Sequence, residues 1–289
     1  MSRNTLKTTV LMALLMGILI AVGGAFAGRS GAMIMLLFSL AMNFGTYWFS
    51  ETIVLKTYGA REVTADDAPE LYNLVANLAA NAELPMPKVC IINSGVPNAF
   101  ATGRNPSHAA VAVTTGLRQA LNYDEIAGVL AHELSHVKHR DTLISCVAAA
   151  MAGIISMIAN IAQWAAIFGG RSDDDENGGF IGLIVTIVIA PIAAALIQMA
   201  ISRSREYEAD KAGGEICGNP NALANALEKI EYFSLNGPVM SQATASTAHL
   251  CIVNPLKGSK QTFINLFSTH PPTSERIARL RQQAIAMGR

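Results

Sequence analysis

The sequence predicts a mainly α-helical integral membrane protein, with about four transmembrane helices and a cytoplasmic α+β domain that contains a small β-sheet. Of the 289 residues, 51% are hydrophobic and only 15% are charged, whereas a soluble domain has roughly 25% charged residues. Four long apolar runs contain no charged residue, and short β-branched or alternating runs occur in the polar part of the chain. We therefore expect the apolar runs to cross a bilayer and the polar segments to fold together on one side of it.

Residues 1–50 are predicted to form a transmembrane hairpin. Val10–Ala27 and Ala32–Ser50 are uncharged and separated by a short break, and each approaches the roughly 20 residues that span a hydrocarbon core. A cleaved signal peptide is the alternative for the first run, because two basic residues precede it and Ala25–Ala27 resembles a signal-peptidase site. The hairpin is favoured because the apolar stretch is long for the core of a signal peptide.

Residues 51–142 are predicted to form the first part of the cytoplasmic domain. Apolar residues at i, i+3, i+4 and i+7 indicate an amphipathic helix over Asp66–Ala82. Lys88–Asn93 and Ala109–Thr114 are typical of short strands. Asn98–Gly103 lies between them, either as an ordinary hairpin strand and turn or as a sheet edge that pairs with an extended peptide.

The sequence His132-Glu133-Leu134-Ser135-His136 is the motif that indicates chemistry. Residues four apart share a helix face, so both imidazoles can reach one metal ion while Glu133 can take a proton from a water. This is the H-E-x-x-H arrangement of zinc metallopeptidases, in which zinc lowers the pKa of water from 15.7 to about 7. The capping-box pattern of Asn122 and Glu125 supports a helix here. We therefore expect a zincin-like metallopeptidase domain with one Zn²⁺ per chain; an ordinary polar helix face is the alternative.

The two histidines leave this metal site incomplete, because a catalytic zinc usually has three protein ligands. His139 shares roughly the same face, but a straight helix would place it about 10 Å from His132. Glu206 and Asp210 are four apart, so one could bind the metal while the other orients a ligand histidine. Glu208 points elsewhere on that helix. A surface ion pair with an arginine is the alternative role for Glu206.

Residues 143–201 are predicted to form a second transmembrane hairpin, whose first run could continue the motif helix. The last part of the chain, residues 202–289, is predicted to complete the catalytic domain. It is expected to contain three helices, at Ser202–Cys217, from Asn219 to about Ser234, and from Thr273 onward. Leu235–Thr269 is rich in Ser, Thr, Gly and Asn and is expected to be irregular.

The distribution of basic residues predicts the orientation. If the chain crosses four times, Arg29 and Arg171 alone among the basic residues near the span ends lie on one side. The positive-inside rule then places both termini and the His132 region in the cytoplasm.

Charge and cysteine usage argue against a nucleic-acid-binding surface, a disulfide framework and a cysteine zinc cluster. The formal net charge is zero, so no basic surface indicates a nucleic-acid partner. The four cysteines are scattered and form no C-x-x-C pair, which excludes a disulfide framework and a cysteine zinc cluster. A bilayer and protein substrates are the expected partners.

Several motifs together resemble one protein family. The H-E-x-x-H helix, the following membrane hairpin and Glu206-Tyr207-Glu208-Ala209-Asp210 are similar to those of the HtpX-type membrane zinc metallopeptidases, which are relatives of the CAAX prenyl proteases. The resemblance covers nearly the whole chain, including the segments Pro85-Met86-Pro87, Asn98–Gly103, His270-Pro271-Pro272 and Glu275-Arg276-Ile277.

The resemblance implies roles for particular residues. It implies that His132, His136 and Glu206 bind the metal and that Asp210 supports a ligand from behind. It also favours a substrate-binding role for the strand Asn98, Ala99, Phe100, Ala101 and Thr102. His270 either stabilises the oxyanion or is a polar residue at the start of a helix.

The expected function is that of a multi-pass zinc endopeptidase of the bacterial inner membrane. It would cleave cytoplasmic segments of membrane proteins, often misfolded ones, in quality control under stress, with Glu133 as the general base. One alternative is a prenyl-protein endopeptidase, for which four spans offer little room to build an enclosed chamber. The other is a non-catalytic scaffold with a structural zinc, although such sites usually have four ligands rich in cysteine.

Overall fold

The computed structural model describes residues 3–148, 203–236, 252 and 271–289. The predicted second transmembrane hairpin therefore lies almost entirely outside the described residues, as does His270. Most of the segment predicted to be irregular, Leu235–Thr269, also lies outside them.

The first helix, α1, extends over Arg3–Thr57 and is broken at Ala27 and Gly28, where the backbone angles are non-helical. A Cβ atom on Gly23 or Gly31 would overlap the backbone of the other glycine, so the two halves approach closely beside the break. In the described part of the chain, Ala27–Thr57 is the one helix long and apolar enough to cross a membrane. The two runs of the predicted first hairpin thus form one broken helix, and among the described residues one of the four predicted spans meets the criterion of length and composition.

The sheet contains four strands in the order β1-β2-β4-β3. Its strands are β1 (Arg61–Glu62), β2 (Lys88–Ile92), β3 (Ala99–Asn105) and β4 (His108–Thr114). β2 and β4 are parallel, whereas β1 pairs with β2 and β3 pairs with β4 in antiparallel fashion. The predicted strands are confirmed, and the segment after Asn98 forms an edge strand, β3.

Each face of the sheet packs against helices. On one face, Val54 of α1 and Tyr58 immediately after α1 contact Phe100 and neighbouring strand residues. On the other face, the main core includes residues of α2 (Pro69–Asn81) and α4 (Tyr123–Lys138). The short helix α3 (Thr115–Ala120) connects β4 to α4. The sheet therefore lies between the end of the apolar helix α1 and the helix that carries the metal motif.

Helix α4 begins and ends at identifiable residues. Asn122 and Glu125 form the predicted capping box at its start. The helix stops at Lys138, and Arg140 adopts a left-handed conformation with φ 61°. A new helix, α5, begins at residue 141 and is described as far as residue 148. The expectation that the motif helix continues directly into the next apolar run is therefore wrong, because the left-handed turn redirects the chain.

Three further helices complete the described fold: α6 (Arg203–Cys217), α7 (Pro220–Asn236) and α8 (Thr273–Ala286). All three agree with the predicted positions to within two residues. Leu223 and Leu227 of α7 and Leu280 of α8 are buried in the same core as Leu130 and Leu134 of α4. Helix α6 lies against α4 so closely that a Cβ atom on Gly213 would meet the backbone of His132.

Candidate metal centre

The two histidines of α4 and one glutamate of α6 converge on a single point. The Nε2 atoms of His132 and His136 lie 3.2 Å apart. Glu206 contributes Oε2 at 3.8 Å from Nε2 of His132 and Oε1 at 3.7 Å from Nε2 of His136. These three residues form a group whose candidate ligand atoms all lie within 4.8 Å of one another. The chain thus brings together the three residues expected to bind the metal.

These distances fit a tetrahedral metal site. Ligand bonds of about 2.0–2.2 Å, as at zinc, place neighbouring donors about 3.3–3.6 Å apart in a tetrahedron. The observed separations of 3.2, 3.7 and 3.8 Å are close to that range. Two imidazoles and a carboxylate suit zinc chemically, and three protein ligands leave the fourth position open to water or substrate.

Gly213 permits the close approach of α6 to α4. A Cβ atom at this position would lie 2.8 Å from the backbone nitrogen of His132 and 2.9 Å from its Cα atom. The absence of a side chain therefore lets α6 contact α4 directly, and this contact brings Glu206 and Asp210 to the histidines. Gly213 was not among the predicted site residues, because its role depends on packing between two distant helices.

Asp210 lies behind His132, as expected for a residue that orients a ligand. Its Oδ1 atom is 3.0 Å from Nδ1 of His132, in a close contact that does not have the geometry of a hydrogen bond. Arg276 donates two hydrogen bonds of 2.7 Å to the same carboxylate. Burial raises the pKa of Asp210, but Arg276 and His132 together outweigh it and lower the pKa to about 2. Asp210 is therefore ionised beside His132, and Arg276 balances its charge.

Asp141 occupies the equivalent place behind His136. Its Oδ2 atom is 3.1 Å from Nδ1 of His136, and its Oδ1 atom is 3.4 Å from Nη1 of Arg205. Burial raises the pKa of Asp141, yet the contact with His136 brings the net pKa below its usual value. Asp141 was not among the predicted site residues, because its position beyond the end of α4 gives no periodic relation to the motif.

The pKa of His136 responds to the surrounding carboxylates. Burial by itself lowers this pKa, but the contact with Asp141 and the charges of Glu206 and Glu133 raise it to about 9. A metal at this site would therefore have to displace a proton from His136, because the imidazole must be neutral to bind through nitrogen.

Glu133 connects the metal motif to the sheet. Its Oε2 atom accepts a hydrogen bond of 2.9 Å from the backbone N–H of Ala101 in β3. Burial is the largest influence on its pKa and raises it, although the neighbouring histidines act in the opposite direction. The carboxylate is consequently a better proton acceptor than an exposed glutamate, and it lies beside the edge of the sheet.

The strand expected to bind substrate lies next to this carboxylate. Residues 98–102 are all buried, and Asn98 accepts a hydrogen bond of 3.2 Å from the backbone N–H of Ile252. Asn98 itself immediately precedes β3 and contacts Thr114 of β4. The expected strand thus lies at the metal site, with Ala101 as its point of contact.

The other two candidates for the third metal ligand, His139 and Glu208, are not part of the group formed by His132, His136 and Glu206. Nδ1 of His139 is 2.9 Å from the carbonyl oxygen of Ser135, in the turn that ends α4. Glu208 is exposed on α6, whereas Glu206 and Asp210 are buried. The alternative reading of Glu206 as a surface ion-pair residue does not fit its burial.

The sequence also matches known proteins along most of its length. The profile of peptidase family M48 matches residues 65–284. A protein named Protease HtpX homolog from Syntrophobacter fumaroxidans is 55% identical over 278 residues, which cover 95% of this chain and 98% of the relative. Another of the same name, from Thermococcus kodakarensis, is 55% identical over 284 residues, covering 98% and 97% of the two chains.

A solved structure shares the fold. The crystal structure of S. mikatae Ste24p matches with a TM-score of 0.50 and 17% identity, covering 96% of this chain and 65% of the Ste24p chain. This likeness concerns the fold alone. The family assignment depends on the sequence matches, which cover most of the chain and include the H-E-x-x-H helix and Glu206. The chain therefore belongs to the HtpX-type proteases of peptidase family M48 and is a metalloprotease.

Proposed function

We propose that the protein is a zinc-dependent endopeptidase embedded in the bacterial inner membrane, which cleaves cytoplasmic segments of membrane proteins. We propose further that misfolded membrane proteins are its substrates and that it acts in quality control under stress. The observation that carries this proposal is the convergence of His132, His136 and Glu206 beside the buried carboxylate of Glu133.

The geometry around this cluster supports a role for each residue. His132, His136 and Glu206 would hold the metal, which when bound supplies Lewis-acid activation of a carbonyl group and of water. Glu133 takes the proton of the attacking water and passes it to the leaving amine. Asp210 fixes the orientation of His132. His270 remains a proposed donor to the oxyanion.

The edge strand β3 offers backbone groups to an extended substrate. Successive residues of an edge strand direct their N–H and C=O groups alternately to the neighbouring strand and to the open edge. The N–H of Ala101 is directed to Glu133 and not to β4, so the backbone groups of Ala99 and Ala101 point away from β4, to the side of the strand where Glu133 lies. A substrate paired with these two residues by β-augmentation would run directly past Glu133.

The end of α1 relates this strand to the membrane. The guanidinium group of Arg104 lies 4.5 Å from the centre of the Trp48 ring and donates a hydrogen bond to the backbone carbonyl oxygen of Trp48. The rings of Phe100 and Tyr58 are 5.0 Å apart. β3 therefore runs alongside the last turns of α1, in the opposite direction. Aromatic residues cluster around Trp48, as is typical of a membrane interface.

This arrangement supports substrates that are cut close to the bilayer. Ala101 is three residues from Arg104, which corresponds to roughly 10 Å at about 3.4 Å per strand residue. If Trp48 marks the cytoplasmic surface of the bilayer, the peptide bond to be cleaved lies about that far from it. A short extended stretch of a membrane protein spans this distance.

Proteolysis of defined substrates by the purified protein in liposomes tests the proposal. An unfolded membrane protein should be cleaved, the cleavage should stop with o-phenanthroline and return with zinc, and a prenylated peptide should be a poor substrate. The matched variant Glu133→Gln should bind zinc normally and cleave nothing. Preferential cleavage of the prenylated peptide by the wild type would favour a prenyl-protein endopeptidase. Zinc binding by the wild type without any proteolysis would favour a structural zinc site.

A further inference from the structure

Each of the two candidate ligand histidines is backed by the same arrangement of side chains. A buried aspartate contacts the Nδ1 atom of the imidazole, and a buried arginine contacts that aspartate from the other side. The two sets are His132, Asp210 and Arg276, and His136, Asp141 and Arg205. The first set joins α4, α6 and α8, and the second joins α4, α5 and α6.

We infer that Asp141 is a positioning residue for His136 and that Arg205 holds Asp141 in place. This inference rests on the proposed metal-binding role of His136. A carboxylate that accepts the Nδ1–H of an imidazole fixes the tautomer in which Nε2 carries the lone pair, and it fixes the ring plane. Oδ2 of Asp141 lies 3.1 Å from Nδ1 of His136, while Nε2 of that ring faces Glu206.

The position of Asp141 in the chain makes this contact possible. Helix α4 ends at Lys138, and the left-handed Arg140 turns the backbone so that residue 141 begins α5 beside the last turn of α4. Asp141 is 5% exposed. A buried carboxylate is stable only if its charge is paired and hydrogen-bonded, and Arg205 together with His136 supplies that pairing.

Arg205 also relates the pair to the third ligand. It immediately precedes Glu206 on α6 and is itself buried. The Asp141–Arg205 contact therefore joins the start of α5 to the first turn of α6, and the same turn presents Glu206 to both histidines. Loss of the contact should allow His136 to rotate and should weaken metal binding without removing any ligand.

The test compares zinc binding by three purified full-length variants with that of the wild type. Asp141→Asn keeps the size of the side chain and removes its charge. Glu208→Gln is the matched control, because it removes a negative charge from the exposed side of α6, two residues from Glu206. Arg205→Lys retains the positive charge but loses the planar donor geometry of arginine. Zinc affinity is measured by competition with a chromophoric chelator, and the geometry of the site by the visible absorption of bound Co²⁺.

The inference predicts a 10–100-fold loss of zinc affinity for Asp141→Asn, the range found when residues that orient a metal ligand are removed. The Co²⁺ spectrum of this variant should also change. Arg205→Lys should show a smaller loss, and Glu208→Gln should match the wild type in both measurements. If Asp141→Asn retains wild-type affinity and the wild-type Co²⁺ spectrum, the inference is wrong. If the wild type itself fails to bind zinc, the metal assignment fails first, and the inference with it.

Discussion

Replacement of Arg276 by methionine tests how the charges behind the metal site are balanced. Arg276 is 1% exposed, donates two hydrogen bonds of 2.7 Å to Asp210 and lies 4.0 Å from Glu206. It also donates to the backbone carbonyl oxygen of Ile252 at 3.4 Å. Arg276→Met would leave the Asp210 carboxylate buried near that of Glu206 without its cation. Removal of one partner from such a pair costs about 3–5 kcal/mol.

The assay is thermal unfolding of the metal-free protein in detergent, with activity measured separately. For a domain of 150–250 residues, 1 kcal/mol shifts Tm by roughly 2–4 °C, so the variant should lose about 6–20 °C. The double variant Arg276→Met with Asp210→Asn should recover part of this loss, because it no longer buries an unpaired charge. A control at the exposed Arg279 should change Tm little. If Arg276→Met shifts Tm by less than 2 °C, or the double variant is the less stable of the two, the electrostatic reasoning is refuted.

Three further predictions follow from the same geometry. Gly213→Ala should lower the free energy of unfolding by about 1–3 kcal/mol through overpacking against His132, and it should weaken zinc binding. Gly45→Ala is the control, because a Cβ atom there meets nothing within 4 Å, and it should have neither effect. Chemical unfolding measures the stability and chelator competition measures the zinc affinity. The pKa of His136 is raised to about 9, so the protonated imidazole stabilises the metal-free protein. This stabilisation should be complete below about pH 6.5 and should be lost as the pH rises through 9. Zinc affinity should accordingly rise with pH up to about 9, and calorimetry in buffers of different ionisation enthalpy should detect about one proton released per zinc; an affinity independent of pH between 7 and 9 would contradict this. In liposomes, a single-span substrate should resist cleavage when fewer than about three residues separate its span from the cleavage site, because roughly 10 Å separate Arg104 and Ala101. Mass spectrometry of the products would show whether peptide bonds closer to the span are cut.

Local sequence signals predicted those parts of the fold that depend on local physics. The apolar pattern gave α2, and the capping box of Asn122 and Glu125 gave the start of α4. The spacing of His132 and His136 predicted two imidazoles on one helix face, and their Nε2 atoms indeed lie 3.2 Å apart. Each of these features is determined by residues within a few positions of one another.

The features that were missed depend on contacts between distant segments. Nothing near Gly213 indicates that another helix passes over it, and nothing near Asp141 indicates that Arg205 will reach it. The break between α4 and α5 was also missed, because the left-handed residue is Arg140 and no glycine or proline marks the turn. The sequence pattern alone did not identify Glu206 as the third metal ligand, and the family resemblance favoured this residue. The reason is that only tertiary packing brings α6 to α4.

Crystallographic location of the metal, by anomalous scattering at the zinc edge from the zinc-loaded protein, tests the central claim most directly. We predict a single zinc ion within about 2.0–2.2 Å of Nε2 of His132, Nε2 of His136 and a carboxylate oxygen of Glu206. A zinc ion bound elsewhere, or bound to the histidines with Glu206 outside bonding distance, would contradict the account.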